Sequence, residues 1–422
     1  MLSSVAPFFL ASLIVAALSP SSARADEVDL SACLRQLRTE TTRHGVRPAT
    51  FDRYTKAVEY DARRALPDVA QPEFTWPIWE YVGVLVDEQR VEDGRRFTQE
   101  HAAALAAIER RFGVDSATVV AILGVETNFG AQKPKYPVIE TFVNRTCGFP
   151  EARAAFKREQ KEQLFQALKM LQAGDVQEAE FLGSRAGAFG MTQFMPLTYA
   201  KDKADIDGDG HADIINSVPD ALGSTARFLL RNGFTRGRPW AIAVELPAGF
   251  DTTLAAGGFD HASARKLKTI AQWRKRGVRF VDERVMGRNK TAYPALTDAT
   301  QATLLLPEGP QGIAFLATSN FTAFWQYNNS DAYAFSVGLL ADRLRGEPRE
   351  ITWVTGEVGL SRKEIAELQA LLIKRGHDGV AADGVPGTLT REAVRAEQNR
   401  LGWPESGYIG VKLLETLRAS SP

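Results

Sequence analysis

At 422 residues the chain exceeds one ordinary domain, so two or three are expected. Its 44% hydrophobic and 24% charged residues are the make-up of a soluble globular protein. Lys plus Arg equals Asp plus Glu at 51 each, which leaves no basic field to hold nucleic acid or an anionic membrane, while an uncharged partner such as a polysaccharide suits the balance.

The N-terminus carries a short apolar run from Val5 to Leu18, then small polar residues and Ala23-Arg24-Ala25. The run is about 14 residues, short of the roughly 20 that a membrane-crossing helix needs. No Lys or Arg precedes Arg24, but the A-x-A pattern still predicts a signal peptide over residues 1–25 and export to the periplasm. Leu30-Ser31-Ala32-Cys33 has the look of a lipoprotein box, yet it follows the acidic Asp26-Glu27-Val28-Asp29, outside the apolar run. No membrane anchor is therefore expected. An oxidising compartment permits a Cys33–Cys147 disulfide, and two separate buried thiols are the other outcome.

Residues from Leu30 to Arg111 read as helical, with Pro67, Pro72 and Pro77 marking a turning stretch before a helix over Ile78–Gln89. Asp115 or Ser116 caps a helix through Thr118–Asn128, and Gly130 is its stop signal. Amphipathic helices follow over Ala152–Gln172 and Asp220–Asn232. Thr303–Leu306 and Ile313–Ala317 flank Pro307-Glu308-Gly309-Pro310 and predict a hairpin. Ala332–Arg345 returns to helix, ending at Gly346. Residues 347–358 read as a linker between a domain over 26–346 and a small module over 359–422. That module opens on the capping box Ser361-Arg362-Lys363-Glu364, with Ile365, Leu368, Leu371 and Leu372 on one helical face and a second helix from about Thr390 to Leu401.

Three segments carry chemistry. In Gly124-Val125-Glu126-Thr127-Asn128-Phe129-Gly130, helical spacing puts Glu126 on one face with Val119 and Ile122. An apolar setting and the negative end of the helix dipole both disfavour the carboxylate, raising its pKa toward that of a general acid. A Glu simply facing solvent at a helix end is the plainer reading. In Ser184-Arg185-Ala186-Gly187-Ala188-Phe189-Gly190-Met191-Thr192-Gln193-Phe194-Met195-Pro196, Ser184 and Gln193 offer hydrogen bonds to sugars, and Gly187 and Gly190 serve packing equally well. Phe324-Trp325 leads into Tyr327-Asn328-Asn329-Ser330-Asp331-Ala332-Tyr333, where aromatic faces and amides share one turn. Aromatics so spaced also build cores.

A fourth segment, Asp205-Ile206-Asp207-Gly208-Asp209-Gly210-His211-Ala212-Asp213, opens like an EF-hand loop, with oxygens at alternate positions and glycines for the sharp turn. Position 12 of a standard loop is Asn216 here and not Glu, so either bound Ca²⁺ or an acidic solvated turn fits.

Taken together, the first three segments resemble the lytic murein transglycosylase B family, a mainly α lysozyme-like fold with a small β insertion, over most of residues 30–345. The resemblance implies Glu126 as the catalytic acid and base, and Ser184, Gln193, Tyr327, Asn328 and Tyr333 as cleft residues. Tyr81 matches a tyrosine facing the glutamate. Arg153 matches an arginine that contacts the muramyl unit, although Ala152 stands where a second arginine is usual. Asp205, Asp207, Asp209, the His211 carbonyl and Asp220 match a structural calcium site, and no cofactor is needed for the chemistry. The implied reaction cuts peptidoglycan between N-acetylmuramic acid and N-acetylglucosamine, leaving 1,6-anhydromuramic ends. Ordinary glycosidases need two carboxylates, and the matched motifs hold no second one suited to that role. A hydrolytic muramidase and a catalytically silent wall-binding protein are the alternatives. The C-terminal module resembles the type 1 peptidoglycan-binding domain through Leu368-Gln369, Gly376-His377-Asp378, Asp383-Gly384-Val385-Pro386-Gly387 and Gln398. Pro386 and Glu397 replace the aromatics common at those places.

Overall fold

The computed structural model describes residues 28–65, 71–149, 153–256, 266–281, 293–309, 312–347, 351, 353, 360–384, 387–403 and 407–420. The expected signal peptide, Pro67, Ala152, Pro310, Val385, Pro386 and most of the expected linker lie outside them.

Helices dominate. The N-terminal half contains α1 (Leu30–Glu40), α2 (Ile78–Leu85), α3 (Glu88–Glu100), α4 (Ser116–Thr127), α5 (Val138–Gly148) and α6 (Ala154–Ala173), with further helices between them. Further on lie α7 (Val218–Arg231), α8 (Ser319–Asn328) and α9 (Asp331–Leu344), and the C-terminal module has α10 (Arg362–Lys374), α11 (Thr388–Arg400) and α12 (Val411–Ala419). The expected helices therefore appear, displaced by a residue or two at their ends. One expectation fails in an instructive way. The helix read as Ile78–Gln89 breaks after Leu85, because the Asp87 side chain accepts from Arg90 N at 2.7 Å and caps a new helix, α3.

The centre of the domain is α4. Val119, Val120, Ala121, Ile122 and Leu123 are all fully buried, so this helix has no solvent face. It packs against α9, α3 and α7. Asp115 is its N-cap, accepting from Thr118 N at 3.1 Å, and it ends at Asn128 in the left-handed conformation, two residues before the expected stop at Gly130. Gly124 lets this packing close, since a Cβ there would lie 2.7 Å from Phe129 Cζ.

The hairpin forms as read, between β6 (Gln301–Leu305) and β7 (Ala314–Ala317), with Thr303 opposite Ala317. With β3 (Ala241–Glu245), β4 (Lys268–Thr269) and β5 (Arg279–Phe280) it makes a five-stranded antiparallel sheet of order β4-β6-β7-β3-β5. Alternate residues serve two cores: Ala241, Ala243, Phe315 and Ala317 face the main one, while Ile242, Val244, Leu304 and Leu316 pack with Ile270 and Trp273. Burial on both faces explains why these strands are continuous apolar runs. A second pair, β1 (Tyr136–Pro137) and β2 (Leu182–Gly183), delivers the chain to Ser184.

Cys33 in α1 and Cys147 in α5 are disulfide-bonded across 114 residues. A cross-link over so long a loop removes much of the unfolded chain's freedom. A Cys33→Ser, Cys147→Ser variant should lose about 2–5 kcal/mol of stability, read as a lowered Tm in calorimetry. The oxidised wild-type protein should show no alkylatable thiol.

Candidate active site

Glu126 sits in the last turn of α4, packed deep among apolar side chains but still partly open to solvent. Its Oε1 accepts from the Tyr333 hydroxyl at 2.7 Å. Burial pushes the Glu126 carboxyl up to about 8; the Tyr333 hydroxyl pulls the other way, and the Glu73 carboxylate adds to the rise. A protonated acid at neutral pH is the result. Tyr333 is itself 1% exposed, and burial followed by the nearby Glu126 carboxylate keeps its hydroxyl firmly protonated and donating.

The other two segments meet this carboxylate through α8 and α9. Ser330 caps α9 by accepting from Tyr333 N at 3.3 Å, which brings Tyr333 into the helix's first turn. Tyr327, near the end of α8, stacks on Tyr333 with ring centroids 6.0 Å apart and donates to the Thr192 carbonyl at 2.7 Å. Its hydroxyl is thus engaged in joining the third segment to the second. Phe324 is 1% exposed and belongs to the core, as the plainer reading of these aromatics had it. In the second segment the Ser184 hydroxyl accepts from Ala186 N and Ala188 N at 3.3 and 3.2 Å, folding the loop upon itself. Gln193 donates to the Gly190 carbonyl at 2.8 Å. Gly190, at φ +76°, has the Ile214 carbonyl 2.7 Å from where a Cβ would be, so its role is close packing.

Backbone strain marks the same place. Among the described residues, the non-glycine positions at positive φ are Asn128, Phe129, Gln193 and Asn329. Every one lies in the three segments, and such conformations persist where surrounding structure enforces them, often at functional sites.

Tyr81, on α2, is 8% exposed; burial, then Glu73 and Glu126, holds its hydroxyl un-ionised. Two partners escaped the sequence reading. Glu73 arrives from a short helix at Pro72–Thr75: Asn328 Nδ2 reaches its Oε1 at 3.4 Å, and the Ser330 hydroxyl donates to its carbonyl at 2.9 Å. No local signal in the sequence distinguished it from the other acids of the chain. Arg90, 3% exposed, donates to the Gly124 carbonyl at 2.9 Å beneath the end of α4, and burial lowers its pKa to about 10. Its charge sits favourably at a helix C-terminus. Beside the site lies a cavity of about 610 Å³ lined in part by Glu73, Trp76, Trp79, Trp325 and Asp331. Arg153 is exposed at the start of α6, and Ala152 is outside the described residues.

The acidic loop folds as a cradle. Ligand oxygens of Asp205, Asp207, Asp209 and Asp220 all lie within 4.8 Å of one another. Asp220, fully buried in the first turn of α7, accepts from Ile206 N and Asp213 N at 2.7 and 2.9 Å. Burial raises its pKa, and Asp207 adds to the rise. Four clustered carboxylates repel one another, and an oxygen-seeking divalent cation is the chemistry that relieves this. His211 lies in the same loop, exposed, its N–H donating to Asp209 at 2.7 Å.

In the C-terminal module the capping box forms: Ser361 Oγ accepts from Glu364 N, and Glu364 accepts from Ser361 N at 2.8 Å. Gln369 accepts from Gly384 N and Gln398 from Gly407 N, at 2.8 and 2.9 Å. Glu397, standing where an aromatic is common, is buried and bound to His377 at 2.9 Å and Arg400 at 3.0 Å.

This mainly helical domain, with its small sheet and with Glu126 where the three segments meet, has a lysozyme-like architecture. The chain belongs to the transglycosylase SLT domain family, whose profile matches residues 29–342, and a peptidoglycan binding domain profile matches residues 361–417. The membrane-bound lytic murein transglycosylase B of Escherichia coli K12 is 28% identical over 263 residues, covering 60% of this chain and 64% of that relative. The chain thus matches somewhat less than two thirds of that protein's length. SltB3 from Pseudomonas aeruginosa, solved in complex with NAG-anhNAM-pentapeptide, is 39% identical over 92% of this chain and 99% of its own, with a TM-score of 0.67. The Escherichia coli lytic transglycosylase Slt35, solved in complex with calcium, shares the fold at 23% identity and a TM-score of 0.59, over 74% of this chain and 92% of that one. No described helix is long and apolar enough to cross a membrane.

If Glu126 acts as a protonated acid, activity should fall as pH rises through about 8. The Tyr333 hydroxyl stabilises the carboxylate form, so Tyr333→Phe should raise the Glu126 pKa further. The alkaline limb of kcat/KM should then move to higher pH, by about one on the pH scale for the loss of a hydrogen bond to a charged group. A limb that stays in place or moves downward would contradict this wiring.

Proposed function

We propose that this protein is a lytic transglycosylase that cleaves the β-1,4 bond between N-acetylmuramic acid and N-acetylglucosamine in peptidoglycan. The observation that carries this reading is a glutamate at the end of an apolar helix, Glu126, hydrogen-bonded to Tyr333 where the three motif segments meet, with burial raising its pKa to about 8. Glu126 donates its proton to the glycosidic oxygen, and the bond from that oxygen to C1 of the muramyl unit breaks. As carboxylate it then accepts the proton of the muramyl C6 hydroxyl, whose oxygen bonds to C1. The product is a 1,6-anhydromuramic end, the acid is regenerated, and no water is consumed. Ser184, Gln193 and Asn328 bind sugar hydroxyls and acetamido groups, Tyr81 faces the reacting centre, and Tyr327 and Tyr333 hold Asn328 and Glu126 in place.

Residues 26–346 would be the catalytic domain, 347–358 the linker and 359–422 the wall-binding module, with residues 1–25 a signal peptide that directs the enzyme to the periplasm. The partner is the glycan strand. A structural Ca²⁺ would be held by Asp205, Asp207, Asp209 and Asp220, with the His211 carbonyl completing the set; four converging carboxylates support this.

Glu73 gives the hydrolytic alternative something specific to stand on, because ordinary glycosidases pair two carboxylates. Glu126→Gln should lower turnover by about 10²–10⁴ with fold and wall binding retained. Glu73→Gln should cost under about tenfold and shift the alkaline limb downward, since a like charge has been removed. Mass analysis of digested peptidoglycan should find anhydro ends. Reducing ends, together with an inactive Glu73→Gln enzyme, would establish the muramidase instead.

For the acidic loop, calcium at a hundredfold excess over Kd should stabilise the fold by about 2.7 kcal/mol. An Asp207→Asn, Asp209→Asn variant should lose that calcium-dependent gain in Tm and keep part of its activity. Identical melting curves with calcium and with chelator would remove the metal from the account.

A further inference from the structure

The C-terminal module is packed onto the helices of the active site. Val84 of α2 shares an apolar cluster with Leu360, Ile365, Leu368 and Val394, and Trp76 packs against both this cluster and the main core. Two arginines of the module cross the junction. Arg391 of α11 donates to Glu80 Oε1 at 2.6 Å, with its guanidinium 4.2 Å above the centre of the Trp76 ring. Arg362, the first residue of α10, donates to Asp87 Oδ2 at 2.8 Å and to Asn128 Oδ1 at 3.3 Å.

The residues they hold are not peripheral. Glu80 directly precedes Tyr81 on α2, Asp87 caps α3, and Asn128 ends α4 two residues after Glu126. Both carboxylates are enclosed, with Glu80 and Asp87 side chains each 2% exposed. Burial alone raises the Glu80 pKa, and Arg391 opposes that rise. A module acting only as a tether raises local concentration and needs no contact with the domain it serves. Desolvating two ion pairs is costly, and such pairs are best explained where they fix a particular geometry.

We propose that the C-terminal module is a structural part of the active site, in which Arg391 and Arg362 are positioning residues that set the spacing between Tyr81 and Glu126. The proposal rests on the catalytic reading of Glu126 given above. Arg391 pins the helix that carries Tyr81, and Arg362 ties the end of α4 to the start of α3. Both arginines act through the residues they hold.

The test uses the full-length chain carrying Arg391→Met and Arg362→Met together, assayed on soluble glycan chains of alternating N-acetylglucosamine and N-acetylmuramic acid. Displacement of a catalytic group by about an ångström can cost on the order of a hundredfold, so kcat should fall by about 10- to 100-fold. KM should stay within about twofold, because substrate contacts remain, and binding to purified sacculi should be unchanged. Wild-type kcat on the soluble chains overturns the proposal, and so does a loss confined to insoluble sacculi. Should the double variant fail to fold, Glu80→Gln with Arg391→Met removes both charges and leaves no buried ion unpaired. A folded protein with lowered kcat and unchanged KM is then expected, and wild-type kcat overturns the proposal. Glu126→Gln, run in parallel, separates the two readings: turnover retained there defeats the catalytic assignment, whereas an inactive Glu126→Gln enzyme beside fully active arginine variants defeats the positioning role alone.

Discussion

The burial of one carboxylate at the end of α4 is the constraint on which the rest of the structure depends. A glutamate among apolar side chains resists ionisation, and Glu126 has its pKa lifted to about 8 for that reason. The Tyr333 hydroxyl tempers the rise and fixes the direction in which the acid points. Tyr333 holds its place because Ser330 caps α9, and Ser330 is itself tied to Glu73. Moving any one of these groups moves the proton that the proposed chemistry needs.

Keeping α4 buried on every side demands close packing and backbone strain near its end. Gly124 admits the Phe129 ring, which folds back because Asn128 and Phe129 adopt positive φ. Arg90 meets the Gly124 carbonyl from below and places a cation at the negative end of the helix. Gln193 and Asn329 carry similar strain in the other two segments. Each such conformation costs up to roughly 1–3 kcal/mol and persists because its surroundings enforce it. For Phe129 that enforcement is local: its ring lies 5.8 Å from the Phe97 ring, centroid to centroid, and fills the space above Gly124 and Gly94.

Two features outside the cleft extend the same logic. The acidic loop gathers four aspartates around the entry to α7, where backbone N–H groups bond to Asp205 and Asp220 and a divalent cation would relieve the remaining repulsion. The C-terminal module places two arginines on enclosed carboxylates next to the helices of the site, so its docking and the cleft's geometry are mechanically linked.

The sequence by itself singled out Glu126 as the candidate acid, the three motif segments, a helix start at Asp115 or Ser116, the Ser361 cap and the β6–β7 hairpin, because each has a local signature in spacing, capping or turn chemistry. The break between α2 and α3 was legible in principle, since Asp87 is an ordinary cap, but the apolar periodicity running through it masked the signal. The tertiary structure alone decided which side chains surround Glu126. Glu73 and Arg90 have no distinguishing neighbours in sequence and acquire meaning only when chain folding carries them to α4 and to the α8–α9 turn. Tyr327 read as a cleft residue, and the partner of its hydroxyl, the Thr192 carbonyl 135 residues away in the chain, had no signal in the sequence. The pairing of Cys33 with Cys147 and the docking of Arg391 on Glu80 were likewise undetermined. Local patterns report on contacts within a few turns of helix, whereas burial, pKa and long-range partners are properties of the packed chain.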